Sequence, residues 1–316
     1  MLAVVTEGYS FNPGDLDWKT LDLPGLEWKI FDRTSADQVL DHCRDAVIIV
    51  SNKVVFDRKL LQQLPSLKMI TLLATGYNVI DTAAASELGI VVCNVPAYGT
   101  ASVAQHSIAL LLELCNKVAM HAASVAEGNW VKSIDWCYTL GATTELEGKT
   151  MGIVGWGNIG QRTALIASAL GMKIIYYNRS KKESALGQQL SLEALFGQSD
   201  VISLHCPLTA DNHAFVNASL LSRVKKGALL INTARGQLLH EADVAAALEE
   251  GRLGGAALDV LSTEPPAADN PLLRAPNCII TPHIAWMSRE ARARIMQMTK
   301  QNLQAFLEGN PVHRVN

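Results

Sequence analysis

A glycine-rich turn between an apolar segment and a helical segment is the feature that most constrains this chain. Residues 154–160 read VGWGNIG and contain the pattern G-x-G-x-x-G, directly after a predicted strand and at the start of a predicted helix. In that context Gly155 permits a tight bend, Gly157 lets a pyrophosphate approach the backbone, and Gly160 lets helix and strand pack closely. The helix amino terminus would present free N–H groups to the phosphates. The alternative is a glycine-rich connector without a ligand, and the flanking strand and helix favour a dinucleotide site.

Short apolar runs alternate with helical segments along the chain, which is the pattern of parallel sheets covered by helices. The predicted strands cover residues 3–6, 27–31, 46–50, 69–73 and 90–92, and then 150–154, 173–177, 201–204, 228–232, 256–259 and 278–281. The predicted helices cover residues 35–43, 82–87, 101–127, 158–170, 192–196, 218–222, 241–250 and 288–307. Six strands in the second series match the two halves of a doubly wound sheet, so the predicted fold class is α/β.

Length and composition limit the functional classes. A chain of 316 residues predicts about two domains. Hydrophobic residues make up 49% of the chain and charged residues 18%, which excludes a disordered tail protein. The net charge of −3 leaves no basic excess to neutralise a phosphate backbone, so we expect no nucleic-acid partner.

The amino terminus and the cysteines bear on location. The opening sequence MLAVVTEGYS has no basic segment before an apolar one and predicts a strand rather than a signal peptide. No apolar run approaches the ~18 residues needed to span a bilayer, so no membrane association is expected. Six cysteines without a C-x-x-C pair indicate small buried thiols and a reduced, cytoplasmic setting.

The residues after the second strand of the second series bear on the choice of dinucleotide. An NAD site usually has Asp or Glu here, about 20 residues after the glycines, to bind the ribose hydroxyls. This chain has Asn178, followed by Arg179, Ser180, Lys181 and Lys182. Asn178 does not repel a 2′-phosphate, and Arg179 and Ser180 are able to bind one, so NADPH is favoured over NADH. The alternative is a solvated basic turn.

Three further segments follow predicted strands, where open α/β sheets bind ligands. They bring Arg235, Glu264 and His283 to successive strand ends. Singly, each has an ordinary structural explanation: a carbonyl-binding arginine, a helix or turn cap, a core histidine. Together they predict acid–base chemistry beside the nicotinamide.

Several motifs together identify a resemblance to a known family. They are GWGNIG at 155–160, SLHCPLT at 203–209, INTARGQL at 231–238, LDVLSTEPP at 258–266 and TPHIAW at 281–286. On these residues the chain resembles the D-isomer-specific 2-hydroxyacid dehydrogenases over essentially its whole length. The segments EGYSFNPGDL at 7–16, LATGYNVID at 73–81 and NVPAYGTASVAQH at 94–106 make it most similar to the glycerate dehydrogenases, which are hydroxypyruvate and glyoxylate reductases.

The resemblance implies a domain organisation. A doubly wound Rossmann dinucleotide-binding domain, residues 99–286, would be inserted in a smaller flavodoxin-like substrate-binding domain, residues 1–98 and 287–316. The substrate would bind in the cleft between the domains, and closure of that cleft is expected.

The resemblance also implies catalytic roles. His283 would protonate the carbonyl oxygen of the substrate during hydride transfer and act as a base in reverse, since an imidazole titrates near neutral pH. Glu264 would hydrogen-bond His283, orient the ring and stabilise its charged form. Arg235 would hold the substrate carboxylate and carbonyl, helped by backbone N–H groups of Thr75, Gly76 and Tyr77.

The cofactor positions are likewise carried over from the family. The residues expected to line the dinucleotide are Thr100, Gly155, Gly157, Asn158, Ile159, Gly160, Asn178, Arg179, Ser180, Cys206, Pro207, Thr233, Ala234, Asp259, His283 and Ala285. Most NAD-linked members have Asp where this chain has Asn178, which leaves the nucleotide preference open. His205 is expected to line the site rather than act as a base. No spacing of His, Cys or carboxylates indicates a metal site.

The resemblance implies a homodimer formed through residues 100–140. The predicted helix 101–127 is apolar around much of its circumference, which predicts burial within the chain or between two subunits. Trp136, in the loop that follows, would either reach the substrate site of the partner subunit or serve as an aromatic anchor of the dimer contact.

Other functions remain as alternatives. One is a dehydrogenase of another small 2-hydroxy acid in the family, such as a phosphoglycerate dehydrogenase. The expected absence of a regulatory domain and of an extra basic cluster for a substrate phosphate disfavours the phosphoglycerate dehydrogenase. A dinucleotide-sensing binding module is another, against which stands the lack of a long polar tail. A Rossmann-like methyltransferase is disfavoured by the G-x-G-x-x-G spacing and by the sheet upstream of it.

Overall fold

The computed structural model describes residues 1–316, which form two compact units. Unit 1 comprises Met1–Gly99 and Trp286–Asn316, and unit 2 comprises Thr100–Ala285. Unit 2 is therefore inserted in the sequence of unit 1.

The strands are short and almost all apolar. In chain order they are β1 (Leu2–Val5), β2 (Glu27–Ile30), β3 (Ile48–Ser51), β4 (Met69–Leu72), β5 (Val91–Cys93), β6 (Thr150–Val154), β7 (Lys173–Tyr177), β8 (Gln188–Gln189), β9 (Val201–Leu204), β10 (Ala228–Asn232), β11 (Leu253–Leu258) and β12 (Cys278–Ile280).

The helices lie between the strands in the sequence. They are α1 (Gly8–Phe11), α2 (Val39–Cys43), α3 (Arg58–Leu61), α4 (Thr82–Glu87), α5 (Thr100–Asn116), α6 (Val118–Ala126), α7 (Asn158–Ala169), α8 (Leu192–Gln198), α9 (Ala218–Leu221), α10 (Glu241–Glu249) and α11 (Arg289–Leu307). Short 3₁₀ turns occur at Trp18–Leu21, Ala210–Asn212, Gly236–Leu238 and Pro271–Leu273.

Unit 1 contains a five-stranded parallel sheet in the order β2-β1-β3-β4-β5. That order is the flavodoxin-like version of the doubly wound arrangement. The strands β3 and β4 are buried along their whole length, as expected where helices cover both faces of a sheet. The helix α11 is capped by Ser288, whose hydroxyl accepts from the N–H of Ala291, and it packs Ile295 and Met296 onto the core of this unit.

Unit 2 contains a seven-stranded parallel sheet in the order β12-β11-β10-β9-β6-β7-β8. The strand order reverses between β6 and β9, which is the topological switch point where such sheets bind ligands. One hydrophobic cluster, containing Ile202 and Leu204, packs with α8, α9 and α10, and another, containing Ile153 and Ile231, packs with α5 and α7. The predicted α/β class with a doubly wound sheet is confirmed.

The predicted helix 101–127 was wrong as a single element. Lys117 has a left-handed backbone (φ 51°), which a right-handed helix does not accommodate, and the chain bends there by 60°. The carboxylate of Glu113 accepts from the N–H of Ala119 and so caps the start of α6. The expected burial holds for α5, whereas the apolar side chains Val118 and Val125 of α6 are exposed.

Three smaller differences concern elements without an apolar pattern. The helix predicted at 35–43 begins at Val39, because residues 35–38 form a turn in which Gln38 N–H donates to the Ser35 carbonyl. The strand β8 is a polar pair at the sheet edge and was not predicted, so the second sheet has seven strands instead of six. The short helices α1 and α3 were also not predicted.

No single helix is long and apolar enough to cross a membrane; α5 and α6 reach that length and composition only when they are taken together across their bend. All six cysteines are free thiols. Three of them, Cys43, Cys93 and Cys115, are buried, and Cys137 is exposed.

Candidate active site

Five strands of unit 2 end in register at one edge of the sheet. Val154, Leu204, Asn232, Leu258 and Ile280 form a row of neighbours across β6, β9, β10, β11 and β12. Since all five strands are parallel, the residues that follow each of them share this edge. The glycine turn therefore lies at this edge, together with residues 205–207 (the HCP segment) and the segments that carry Arg235, Asp259 and His283.

The glycine turn has the geometry expected of a phosphate cradle. Gly155 has φ +104°, which only glycine adopts readily, and a Cβ on Gly160 would meet the carbonyl of Gly155. Around Gly157, in contrast, a Cβ would meet nothing within 4 Å. Gly157 is the N-cap of α7 and no side chain caps this helix, so its first N–H groups are open to an anion. These residues fit the pyrophosphate of a dinucleotide.

The segment after β7 forms a hydrogen-bonded turn of residues 178–182. Asn178 Oδ1 accepts from the Trp156 N–H at 3.2 Å, which ties this turn to the glycine turn. Its Nδ2 donates to the carbonyl and the hydroxyl of Ser180, both at 3.0 Å. Arg179 and Ser180 are exposed, and the guanidinium of Arg179 makes no ion pair within the protein.

His283 and Glu264 form a hydrogen-bonded pair. His283 Nδ1 lies 2.6 Å from Glu264 Oε2, and both side chains are about one-third exposed, 30% and 33%. Glu264 Oε1 also accepts from the Leu261 N–H at 3.2 Å. An ionised carboxylate only accepts, so with Glu264 ionised the hydrogen of this contact belongs to Nδ1, and the opposite nitrogen, Nε2, is left available to a ligand.

The backbone of His283 is held in an unusual conformation. Its φ is +56°, which costs free energy for a non-glycine residue and persists only where the surroundings impose it. The His283 N–H donates to the carbonyls of Asp259 and Thr281, both at 2.9 Å. The conformation directs the chain back over the end of β11, toward Asp259.

The buried carboxylate of Asp259 organises the same segment. Asp259 is 1% exposed; its Oδ1 accepts from the Thr281 hydroxyl at 2.6 Å and from the Ile284 N–H, and its Oδ2 accepts from the Ala285 N–H. Burial alone would raise the pKa of this carboxyl, but the hydrogen bonds that it accepts lower the pKa below its usual range. Both oxygens of Asp259 are thus committed to holding the His283 segment.

Two residues of α5 contact the same strand ends, and neither was predicted as a site residue. His106 Nε2 lies 3.1 Å from the Thr281 hydroxyl and 3.5 Å from Asp259 Oδ1. Ser107 shares a 2.8 Å hydrogen bond with the hydroxyl of Thr233. His106 is the last residue of the motif at 94–106 and Ser107 follows it, but helical spacing alone does not predict which strand ends these side chains contact.

Arg235 is exposed at the end of β10. One guanidinium nitrogen, Nη1, donates to the carbonyl of Ala234 at 2.7 Å, which leaves the remaining donors available. The segment after it is joined to the Glu264 segment, because Gln237 Nε2 donates to the carbonyl of Ser262 at 2.8 Å. Glu241 also braces that segment by accepting from the Ser262 N–H at 2.7 Å.

The HCP segment lies beside the glycine turn. A Cβ on Gly155 would meet the backbone of His205 and Cys206. The His205 ring shares a 2.9 Å hydrogen bond with the Ser203 hydroxyl, while its Nδ1 is buried without a partner. Burial lowers the pKa of His205 to about 3 and raises the pKa of Cys206 to about 11, so both side chains are neutral near neutral pH.

The other positions expected at the cofactor also lie around this edge or on α5. Thr100 begins α5, Pro207 is exposed after Cys206, and Ala234 is half-buried after β10. The N–H and carbonyl of Ala285 are both used within the protein, by Asp259 and by the Ser102 hydroxyl.

In unit 1, residues 75–77 form an exposed loop after β4. The Thr75 hydroxyl donates to the Val95 carbonyl at 2.8 Å, and Asn94 Nδ2 donates to the Thr75 carbonyl at 2.7 Å. The backbone N–H groups of Thr75, Gly76 and Tyr77 donate no hydrogen bond within the protein. Three adjacent N–H groups of this kind suit a carboxylate.

Trp136 lies in an exposed apolar loop after α6. It is 86% exposed, and Val131 and Ile134 beside it are 91% and 101% exposed. Trp130 Nε1 donates to the Trp136 carbonyl at 3.0 Å, which fixes the loop backbone.

Comparison with known proteins agrees with this geometry. The profile of the D-isomer specific 2-hydroxyacid dehydrogenase NAD binding domain matches residues 108–285. A hydroxypyruvate reductase of Blautia hydrogenotrophica is 47% identical over an alignment of 322 residues that covers both chains completely. A glycerate dehydrogenase of Methylorubrum extorquens is 39% identical, with 90% of each chain covered. The chain is also similar to the solved structure of a D-lactate dehydrogenase from Aquifex aeolicus, complexed with NAD and lactic acid. The TM-score is 0.84 at 30% sequence identity, and the alignment covers 100% of both chains.

The profile covers more than half of the chain, and the relatives match it along nearly all of its length. These similarities agree with a doubly wound sheet whose ligand edge carries a glycine turn and a histidine–glutamate pair. The chain therefore belongs to the D-isomer-specific 2-hydroxyacid dehydrogenase family, and it is an oxidoreductase that uses a nicotinamide dinucleotide.

Proposed function

We propose that this enzyme reduces hydroxypyruvate or glyoxylate to D-glycerate or glycolate. The observation that carries the proposal is the 2.6 Å pair of His283 and Glu264 at the ligand edge of a dinucleotide-binding sheet. The similarity to a hydroxypyruvate reductase and a glycerate dehydrogenase supports the choice of substrate.

His283 donates the proton in this reaction. A dinucleotide held at this edge of the sheet would supply the hydride for the carbonyl carbon of the 2-oxo acid. The carbonyl oxygen then takes a proton from Nε2 of the imidazolium, which leaves a neutral ring and a 2-hydroxy acid. Glu264 stabilises the charged ring through Nδ1 and keeps Nε2 directed away from itself. In the reverse direction the neutral ring accepts the proton.

Arg235 and the loop of residues 75–77 hold the substrate. The free donors of the Arg235 guanidinium bind the carboxylate and the carbonyl oxygen as a planar fork. The unpaired N–H groups of Thr75, Gly76 and Tyr77 also bind the carboxylate.

The dinucleotide binds along the edge of the sheet in unit 2, with NADPH preferred. The amino terminus of α7, at Gly157, Asn158 and Ile159, would hold its pyrophosphate. The exposed cation of Arg179 and the hydroxyl of Ser180 bind the 2′-phosphate, since Asn178 adds no negative charge to repel it. The backbone of Cys206, Pro207, Thr233 and Ala234 lines the rest of the site.

The protein forms a homodimer through residues 100–140. Support comes from the exposed apolar side chains of α6 and of the loop that follows, which are unusually many for a free surface. Trp136 either reaches the substrate site of the partner subunit or anchors the dimer contact. A Trp136→Ala variant that changes the range of accepted 2-oxo acids supports the first role, and one that only weakens the dimer supports the second.

The experiment that tests this function is a steady-state assay of the purified protein with hydroxypyruvate and with glyoxylate, each with NADH and with NADPH. We expect turnover with both acids and a higher kcat/KM with NADPH. Equal rates with the two dinucleotides would contradict the preference alone. Dinucleotide binding without turnover of either acid would contradict the substrate and would favour another 2-hydroxy acid or a dinucleotide-sensing binding module.

A further inference from the structure

A glutamine on the edge strand β8 closes the turn of residues 178–182. Gln189 Oε1 accepts from the Lys182 N–H at 2.8 Å. Its Nε2 donates to the carbonyls of Asn178 at 2.8 Å and Ser180 at 3.2 Å. One side chain therefore joins the first, third and last residues of the turn, and its position is fixed because Gln189 pairs with Tyr176 of β7.

The interior of the turn is held by further protein contacts. Asn178 uses both ends of its side-chain amide, with Oδ1 on the Trp156 N–H and Nδ2 on Ser180. The Tyr176 hydroxyl donates to the Lys182 carbonyl at 2.8 Å, and the Tyr176 ring stacks on Trp156 with centroids 3.9 Å apart. Asn178 therefore acts as a structural link between the two turns.

The side chains that point outward from the turn are positive and unpaired. Arg179, Lys181 and Lys182 are exposed, and none of their charged groups makes an ion pair within the protein. The Ser180 hydroxyl accepts from Asn178, which leaves its own hydrogen free to donate. Three like charges in five residues repel one another, and a bound dianion would remove that repulsion.

We propose that Gln189 is a positioning residue that sets the preference for the 2′-phosphorylated dinucleotide. It acts through the turn: with the backbone already ordered, Arg179 and Ser180 meet the phosphate without the entropy loss of ordering a mobile loop. The unphosphorylated dinucleotide gains little from this order, because it has no group at that place. The inference rests on the proposed binding of the 2′-phosphate by Arg179 and Ser180.

The test replaces Gln189 by Leu, which keeps its approximate size and removes its hydrogen bonds, and by Ala. The matched control is Gln188→Leu, because Gln188 lies on the same strand, is exposed and makes no side-chain hydrogen bond. Calorimetric titration measures Kd for NADPH, NADH, 2′,5′-ADP and 5′-AMP, and thermal unfolding shows that each variant is folded. We expect Gln189→Leu to raise the Kd of the two 2′-phosphorylated ligands about tenfold and that of the others less than about twofold.

The outcomes separate the inference from its basis. The positioning role is overturned if both folded Gln189 variants keep the wild-type preference for NADPH. It is also overturned if they lose affinity equally for all four ligands. Either result leaves the proposed function intact. If the wild-type protein binds NADPH and NADH equally well and Arg179→Ala changes neither Kd, the positioning role of Gln189 and the proposed binding of the 2′-phosphate are both overturned. Support requires in addition that Arg179→Ala weakens NADPH binding less in the Gln189→Leu background than in the wild type.

Discussion

His283 Nδ1 and Glu264 Oε2 lie 2.6 Å apart, and this contact occupies one of the two ring nitrogens. An ionised carboxylate accepts the hydrogen of Nδ1, so Nε2 is the ring nitrogen left for a ligand. Glu264 is itself anchored by the Leu261 N–H, and His283 is held in its left-handed conformation by the backbone of Asp259 and Thr281. The pair thus joins a residue after β11 to a residue after β12, and the two residues are 19 positions apart in sequence.

Glu264→Gln is expected to lower kcat by about 10²-fold, because a neutral amide no longer stabilises the imidazolium and permits the wrong tautomer. Dinucleotide affinity is expected to stay within about twofold of wild type, since Glu264 does not take part in the proposed cofactor contacts. The measurement is steady-state turnover with calorimetric titration of the dinucleotide. Asp269→Asn, which removes a charge from the same loop, is the control; an equal loss of kcat in that variant would contradict the role of Glu264.

Gly157→Ala and Gly160→Ala are expected to separate cofactor binding from folding. A Cβ at Gly157 meets nothing within 4 Å, and its φ of −85° suits alanine, so the free energy of unfolding should change by less than about 1 kcal/mol. The methyl would occupy the proposed pyrophosphate site and raise the dinucleotide Kd about tenfold or more. Denaturant unfolding and calorimetry give the two quantities.

Gly160→Ala is expected to affect folding instead. Its methyl would meet the carbonyl of Gly155 and lower the free energy of unfolding of the apo protein by about 1–3 kcal/mol. A Gly157→Ala protein that binds the dinucleotide as tightly as wild type would show that the pyrophosphate lies elsewhere.

Arg235→Lys is expected to raise KM for the 2-oxo acid and lower kcat/KM by about 10–100-fold, even though the charge is kept. A lysine offers a single ammonium instead of a planar fork, and the carboxylate and carbonyl cannot both be held. Arg223→Lys is the control, because Arg223 is exposed and its side chain makes no hydrogen bond or ion pair within the protein. Unchanged kinetics in Arg235→Lys would remove Arg235 from the proposed substrate site.

His205 is expected to make folding stability depend on pH. Its pKa is about 3 in the folded protein, below the value of about 6.5 for an unfolded chain, because burial disfavours the charged ring. The lowered pKa of His205 therefore leaves the free energy of unfolding unaffected above pH 6.5 and reduces it as the pH falls toward 3. At pH 5 the reduction is about 2 kcal/mol.

Denaturant unfolding of wild type and His205→Gln at pH 7 and pH 5 measures this effect. The variant should lose less stability between the two values than wild type does. The exposed His213→Gln should behave as wild type. Parallel pH dependence in wild type and His205→Gln would show that the ring is hydrated or paired in solution.

Much of the sheet in unit 2 was predictable from the sequence. The strands at 150–154, 173–177, 201–204 and 228–232 have the predicted bounds, because each is a compact, mostly apolar run between turn-forming residues. The break at Lys117 was not predictable, since it depends on a left-handed backbone and on a cap from Glu113. The polar strand at Gln188–Gln189 was missed because no apolar pattern marks it.

The sequence by itself determined the α/β class and the glycine turn, and it singled out Arg235, Glu264 and His283 as candidates, because apolar periodicity and short motifs are local signals. Only the tertiary structure decided what Asp259 and His106 do. The carboxylate of Asp259 accepts from the His283 segment, and His106 of α5, more than 150 residues away in sequence, lies 3.5 Å from that carboxylate. The tertiary structure also decided that Gln189 holds the turn after β7. The physical reason is that a buried polar group must find its hydrogen-bond partners wherever the packed chain brings them, and strand register, rather than sequence spacing, sets those meetings.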